Sequence, residues 1–224
     1  MNVLLLGIGN VLWADEGFGV RVIEHLQKNY RFPDNVNVLD GGTQGVYLVE
    51  PVQNAEVLVV FDAIDYGLPP ATLKCVSNDD VPHFLGVKKM SLHQTGFQEV
   101  LAMAQMLGHY PSHLLLIGVQ PEELDDYGGS LRPSVKAQIQ PAIDIALNYL
   151  QTFDIYAEKT DTADSDLSDP VLNMQRYEQE RPSAAEACRV GDERLLHYGA
   201  FTVRSSQSCN PHSLQVDVDY RGKY

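Results

Sequence analysis

The chain has 224 residues, 44% of them hydrophobic, and a formal net charge of −14. That length suits one α/β domain with an appendage, and the apolar content is enough for a sizeable core. The acidic balance excludes non-specific binding to nucleic acid or anionic membranes, which want lysine and arginine, and leaves room for a protein partner with a basic segment.

Val3–Leu6 is a short, wholly apolar run of the kind expected of a buried parallel strand. Gly7-Ile8-Gly9-Asn10 turns the chain, Asp15-Glu16 follows, and Val20, Ile23 and Leu26 set the period of an amphipathic helix ending near Tyr30. Val36–Leu39 is a second strand ending in Asp40, and Gly41–Gly45 is a glycine-rich connection. Val46–Glu50 is predicted as a short helix stopped by Pro51. Val57–Phe61 is the third strand, ending at Asp62. Thr72–Val76 is read as an edge strand because no crossover helix precedes it. Ser91-Leu92-His93-Gln94 has the form of a capping box opening a helix with Phe97, Val100, Leu101, Ala104 and Leu107 on one face and Gly108 as its stop. His113–Val119 is the fourth core strand and Gln120–Leu131 a polar loop. A helix from Pro133 carries Val135, Ile139, Ile143, Ala146 and Leu150, with a kink expected at Pro141. Strand and helix alternate as in a doubly wound fold, which predicts a three-layer α/β/α sandwich. Its twisted sheet is mostly parallel, with one antiparallel edge strand.

The character changes at Phe153, so residues 1–153 are read as the α/β domain and 154–224 as an acidic linker and C-terminal extension, expected to be poorly ordered. The extension has thirteen acidic and eight basic residues and too little apolar surface for its own core. Asp161–Pro170 reads as the linker and Gln175–Ala187 as a short helix. No apolar stretch approaches the ~20 residues of a membrane helix. No basic segment precedes the first apolar run, which Gly7, Gly9 and Asn10 interrupt. Cys75, Cys188 and Cys209 form neither a disulfide framework nor a zinc–thiolate pattern. These features together point to the cytoplasm, without membrane insertion; a monomer is expected.

In open α/β sheets, sites form beyond the carboxyl ends of the strands. Glu16 follows the first strand, Asp62 ends the third, and His93 lies in the first turn of a later helix. If the first and third strands are neighbours, Glu16 and Asp62 meet in one crevice and His93 reaches it from the side. Two carboxylates and an imidazole suit a divalent metal with open coordination positions. The helix dipole would keep His93 neutral and able to ligate. Taken singly, each has a plainer role: Glu16 favouring a helix start, Asp62 capping a loop, His93 solvated. Asp40 and Thr43 share the rim and either orient a substrate or close the turn. Asp65 is expected to be exposed, and Cys75 to pack rather than act as a nucleophile. Gly7-Ile8-Gly9-Asn10-Val11-Leu12 lacks the third small residue of a dinucleotide fingerprint, and Asp15 and Glu16 would repel a pyrophosphate. No GxSxG elbow is present.

Several stretches resemble the nickel–iron hydrogenase maturation proteases of the HupD/HoxM/HybD type. They are GIGNVLWADEGFGVRVIE (7–24), LDGGTQG (39–45), VVFDAIDYG (59–67), KKMSLHQTGFQEVL (88–101) and LIGVQPEELDDYGGSL (116–131). The WADEGFGVR and MSLHQTGFQE strings look closest to the branch serving uptake-type and membrane-bound hydrogenases. The resemblance implies an endopeptidase, aspartyl-type or metal-dependent, that acts on the nickel-loaded hydrogenase large-subunit precursor. It would remove a short C-terminal extension after a basic residue. The family's metal-contacting and catalytic Glu, Asp and His match Glu16, Asp62 and His93, and its DGGTxG loop matches Asp40, Gly41, Gly42 and Thr43 as substrate-positioning residues. Nickel seated in the precursor would either complete its coordination on these ligands or polarise a water there. A chaperone-like docking module without chemistry, and a nucleotide enzyme using the GxGN turn, are the rivals.

Overall fold

The apolar runs of β1 (Val3–Ile8) and β4 (Val57–Ala63) are buried along their whole length, as strands covered on both faces must be. The structure, a computed structural model, describes residues 1–78, 80–81, 92–160 and 174–180, with backbone alone for 92–95, 175 and 180. Among the described residues, β1, β3 (Val36–Gly42), β4, β5 (Leu73–Ser77) and β6 (His113–Val119) form one sheet in the order β3–β1–β4–β6–β5. The four inner pairings are parallel except the last, where β5 runs antiparallel to β6 at the edge. The expected α/β/α sandwich with one antiparallel edge strand is therefore what the chain forms.

Alternate residues of β1 divide the core. Val3 and Leu5 pack with Phe18, Val22, Ile23 and Ile143 under α1 (Phe18–Asn29) and α5 (Ile139–Gln151). Leu4 and Leu6 face the other way, against Val52 of α2 (Val49–Gln53) and Phe97, Val100 and Leu101 of α3 (Leu92–Met106). Helices on both faces of a parallel sheet follow from the right-handed crossovers that join its strands.

Pro51 does not end its helix as expected, and Pro141 follows a break in its own. Pro51 lies inside α2 and Pro141 inside α5, each at the third helical position. First-turn N–H groups have no intrahelical acceptor, so Pro51 removes nothing and does not stop α2, while Pro141 lies four residues after Ala137, where the segment from Pro133 is broken. The break after Pro133 falls earlier, between α4 (Pro133–Lys136) and α5. Ser91 lies outside the described residues, so the capping box has no structural counterpart to compare. At the other end of α3, Gly108 takes a φ of +78° and donates to Gln105, closing the helix as its sequence position suggests.

The body extends past Phe153. Ile155 is buried in the core, and β7 (Glu158–Lys159) pairs antiparallel with β2 (Tyr30–Arg31) in a two-stranded ribbon that no sequence period announced. α6 (Met174–Glu180) covers the start of the helix expected over Gln175–Ala187; 181–187 and the linker 161–170 lie outside the described residues. Through Gln179, α6 belongs to the same contact unit as the sheet. Glu178 accepts hydrogen bonds from Ser130 Oγ at 2.9 Å and Lys136 Nζ at 2.8 Å, and the Tyr177 ring lies 5.7 Å from the Arg21 guanidinium. Residues 154–160 and 174–179 thus share contacts with the domain.

Candidate active site

Beyond β1 the chain must turn back over the sheet, and glycine makes this possible. Gly9 has φ +136°, and a Cβ there would run into the Glu16 carbonyl. Gly9 N–H donates to Gly42 O at 3.0 Å, tying this turn to the end of β3. Residues Ala14–Gly17 then form a 3₁₀ turn packed against β4. Glu16 sits on that turn, half-buried, rather than inside α1. Asp62 lies within β4, opposite Gly118 of β6, and is only 2% exposed. Its Oδ1 accepts the Ala63 N–H at 2.8 Å. β1 and β4 are sheet neighbours, and the turn that bears Glu16 packs against β4, the strand that carries Asp62. His93 falls in the first turn of α3, whose start packs against Gly45–Leu48 after β3, with Gly96 close to Gly45. The His93 side chain lies outside the described atoms. Among the described side chains, of which His93 is not one, no three His, Cys, Asp or Glu gather as a metal cluster.

The glycine-rich connection leaves the end of β3, the sheet neighbour of β1. Gly41 forms a bulge, so that β1 pairs Gly7 with Asp40 and then Ile8 with Gly42. Asp40 Oδ1 accepts the Gly42 N–H at 2.9 Å, so Asp40 does close the turn. Desolvation among the loop backbone raises its carboxyl above the ordinary value, against the opposing pull of the Gly42 N–H and Arg21. Thr43 is exposed on the rim.

On the far side of β4, Gln120 gathers the loop that follows Asp62. Its Oε1 accepts the N–H groups of Tyr66 at 2.7 Å and Leu68 at 3.1 Å, and its Nε2 donates to Asp65 Oδ1 at 3.0 Å. Asp65 is exposed, as expected. The Tyr66 ring covers Gly118 so closely that a Cβ at that position would overlap it. Burial, and then the neighbouring Asp62 carboxylate, raise the Tyr66 phenol, which stays protonated beside the crevice. Cys75 is exposed on β5 rather than packed. Side chains on an edge strand's outer face have no covering helix, which the sequence run alone does not reveal.

Asp15, adjacent to Glu16, has a different role from its neighbour. It is fully buried, with Oδ2 accepting the N–H groups of Glu122 at 2.8 Å and Glu123 at 2.9 Å, and Oδ1 accepting that of Arg132 at 2.7 Å. Two further contacts join the same segments: Gly128 N–H donates to Leu12 O at 2.7 Å, and the rings of Trp13 and Tyr127 meet edge to face at 5.1 Å. The loops after β1 and β6 are thus zipped together across the end of β4. Sequence reasoning missed Asp15, Trp13, Gln120 and Tyr66. For Asp15 the partners are 107 to 117 residues away, and adjacency to Glu16 was the one signal available.

A polar hollow lined by Asn2, Asp34, Asn35, Asn37, Glu50 and Asn54 lies at the amino ends of the strands, opposite the crevice, and includes none of these residues. No helix among the described residues is long and apolar enough to cross a membrane.

A family model described as hydrogenase maturation protease matches residues 20–149. The hydrogenase expression/formation protein HupD of Thiocapsa roseopersicina is 61% identical over 214 residues, covering 94% of this chain and 96% of the relative. The hydrogenase 2 maturation protease of Escherichia coli is 40% identical over 152 residues, 67% of this chain and 92% of the relative. Among solved structures, the hydrogenase maturating endopeptidase HybD from E. coli superposes with a TM-score of 0.68 at 38% identity, covering 71% of this chain and 98% of HybD.

Proposed function

Because the chain belongs to the hydrogenase maturation protease family, we propose that it is the endopeptidase that trims the C-terminal extension from a nickel-loaded hydrogenase large-subunit precursor. What supports the site assignment is that Glu16 lies on a turn packed against β4, the strand in which Asp62 is 2% exposed. A carboxylate kept from water gains most from an approaching cation, since the surrounding dielectric screens the attraction little. Glu16, Asp62 and His93 act as the protein's ligands to nickel that arrives with the precursor. The Asp40–Thr43 loop, at the adjoining strand end, positions the segment to be cut. In this reading nickel is carried by the substrate, and a precursor without it lacks the anchoring contact. The protein works in the cytoplasm as a soluble monomer.

Three substitutions test the assignment. Glu16→Gln and Asp62→Asn remove charge at nearly constant shape, and His93→Ala removes the imidazole from an early helical turn. Each is expected to keep a cooperative thermal transition and to lose precursor processing by at least 100-fold, read as loss of the C-terminal peptide by mass spectrometry. Folded variants that process at the normal rate would overturn the site. Loss of processing with unchanged precursor binding separates chemistry from the docking-module alternative, in which these side chains are dispensable.

A further inference from the structure

We infer that Asp15 is a positioning residue for the reaction, acting through Glu16. This rests on the reading of Glu16 and Asp62 as the working carboxylates. The 3₁₀ turn carrying Glu16 is held from two sides. On one, the Glu16 carbonyl is lodged against Gly9, where no side chain fits. On the other, Asp15 takes three backbone N–H groups from the loop after β6. β4 lies between β1 and β6 in the sheet, so this clasp bridges the end of the strand that bears Asp62. The clasp residue is directly bonded to Glu16 in the chain, and the Glu16 backbone has little freedom to move without breaking one of its attachments.

The chemistry of the clasp argues for more than packing. A fully buried carboxylate is costly unless its oxygens are satisfied, and three N–H donors at 2.7–2.9 Å do that. Asparagine at this place keeps the size and loses an acceptor, because its amide NH₂ would face an N–H donor. The β6 loop would then be released on that side, and the Glu16 turn would gain freedom relative to Asp62. Misplacement of about 1 Å in a catalytic or anchoring group can lower turnover by about 100-fold while leaving the remote binding surface unchanged.

Arg132 provides an independent handle on the same bond. Its N–H binds Asp15, while its guanidinium binds Asp126 Oδ2 at 2.9 Å. Arg132 has φ −63°, a value proline adopts without strain. Arg132→Pro therefore deletes the N–H to Asp15, and Arg132→Ala deletes only the side chain.

The test is the kinetics of full-length Asp15→Asn, Arg132→Pro, Arg132→Ala and Glu16→Gln on nickel-loaded precursor, below the melting temperature of each. Asp15→Asn is expected to lower kcat at least 10-fold with KM within threefold of wild type. Arg132→Pro should lower kcat at least threefold, and Arg132→Ala should stay within twofold. Wild-type kcat in Asp15→Asn, or a loss confined to KM, would overturn the inference. If Asp15→Asn does not fold, the Arg132→Pro and Arg132→Ala pair decides: equal kcat in the two refutes it. Wild-type processing by Glu16→Gln would instead overturn the underlying site, so the two failures are distinguishable.

Discussion

Gln120→Ala should destabilise the fold by about 2–3 kcal/mol, and each part of that figure comes from a contact. Gln120 is 6% exposed and satisfies the buried Tyr66 N–H, the Leu68 N–H and Asp65. Removing its side chain leaves the Tyr66 N–H without an acceptor in a place water does not reach, at a cost of about 1–3 kcal/mol. Leu68 is 38% exposed, so water can replace its bond, and the loss there is on the order of 0.5 kcal/mol. Urea denaturation followed by circular dichroism would read this as a midpoint lowered by roughly 1 M at unchanged slope. Gln120→Glu offers a sharper comparison. It keeps both acceptor contacts but sets a carboxyl against Asp65, so it should lie closer to wild type at pH 5, where the new carboxyl can still carry a proton, than at pH 8. A midpoint shift under 0.3 M for the alanine variant (about 0.6 kcal/mol at a typical slope) would refute the reasoning. So would a glutamate variant whose loss relative to wild type is the same at both pH values.

Three further outcomes follow from the same structure. Truncation after Thr160 should leave a folded chain that is about 1–2 kcal/mol less stable, because the Lys136–Glu178 pair is partly exposed and worth at most about 1 kcal/mol, with the Ser130 bond adding a similar amount; loss of the cooperative thermal transition would contradict it. Burial lowers the pKa of His25 from 6.5, so the unfolded chain binds the proton more tightly. Stability from this source is therefore full above pH 6.5 and falls as pH drops through 6.5 toward the lower folded value; His25→Gln should flatten that part of a urea-midpoint profile. Gly118→Ala should be more disruptive than its one carbon suggests, since the new methyl overlaps the Tyr66 ring beside Asp62; a thermal midpoint equal to wild type would contradict that packing.

The parts legible in the sequence were those governed by local period. Val57–Phe61 and His113–Val119 read as buried strands because an unbroken apolar run has few other places to go, and both appear at nearly those bounds. Neighbouring β1 and β4 followed from doubly wound topology, and the sheet has them paired. Contacts between distant segments were not legible. Asp15 and Glu16 are chemically alike and adjacent, yet one is buried in a three-donor clasp and the other half-buried at the crevice. Nothing within ten residues distinguishes them. The β2–β7 ribbon was invisible for a related reason: two residues on each side are too few to show a period. Pro51 misled because a proline two residues inside a helix and one just beyond its end look the same until the first turn is located.

The most direct test of nickel-gated processing is a side-by-side incubation of the purified protein with nickel-loaded and nickel-free large-subunit precursor, with removal of the C-terminal extension followed by mass spectrometry. The account predicts release of the peptide from the loaded precursor alone, and its disappearance in Glu16→Gln. Equal release from both forms of the precursor would contradict it.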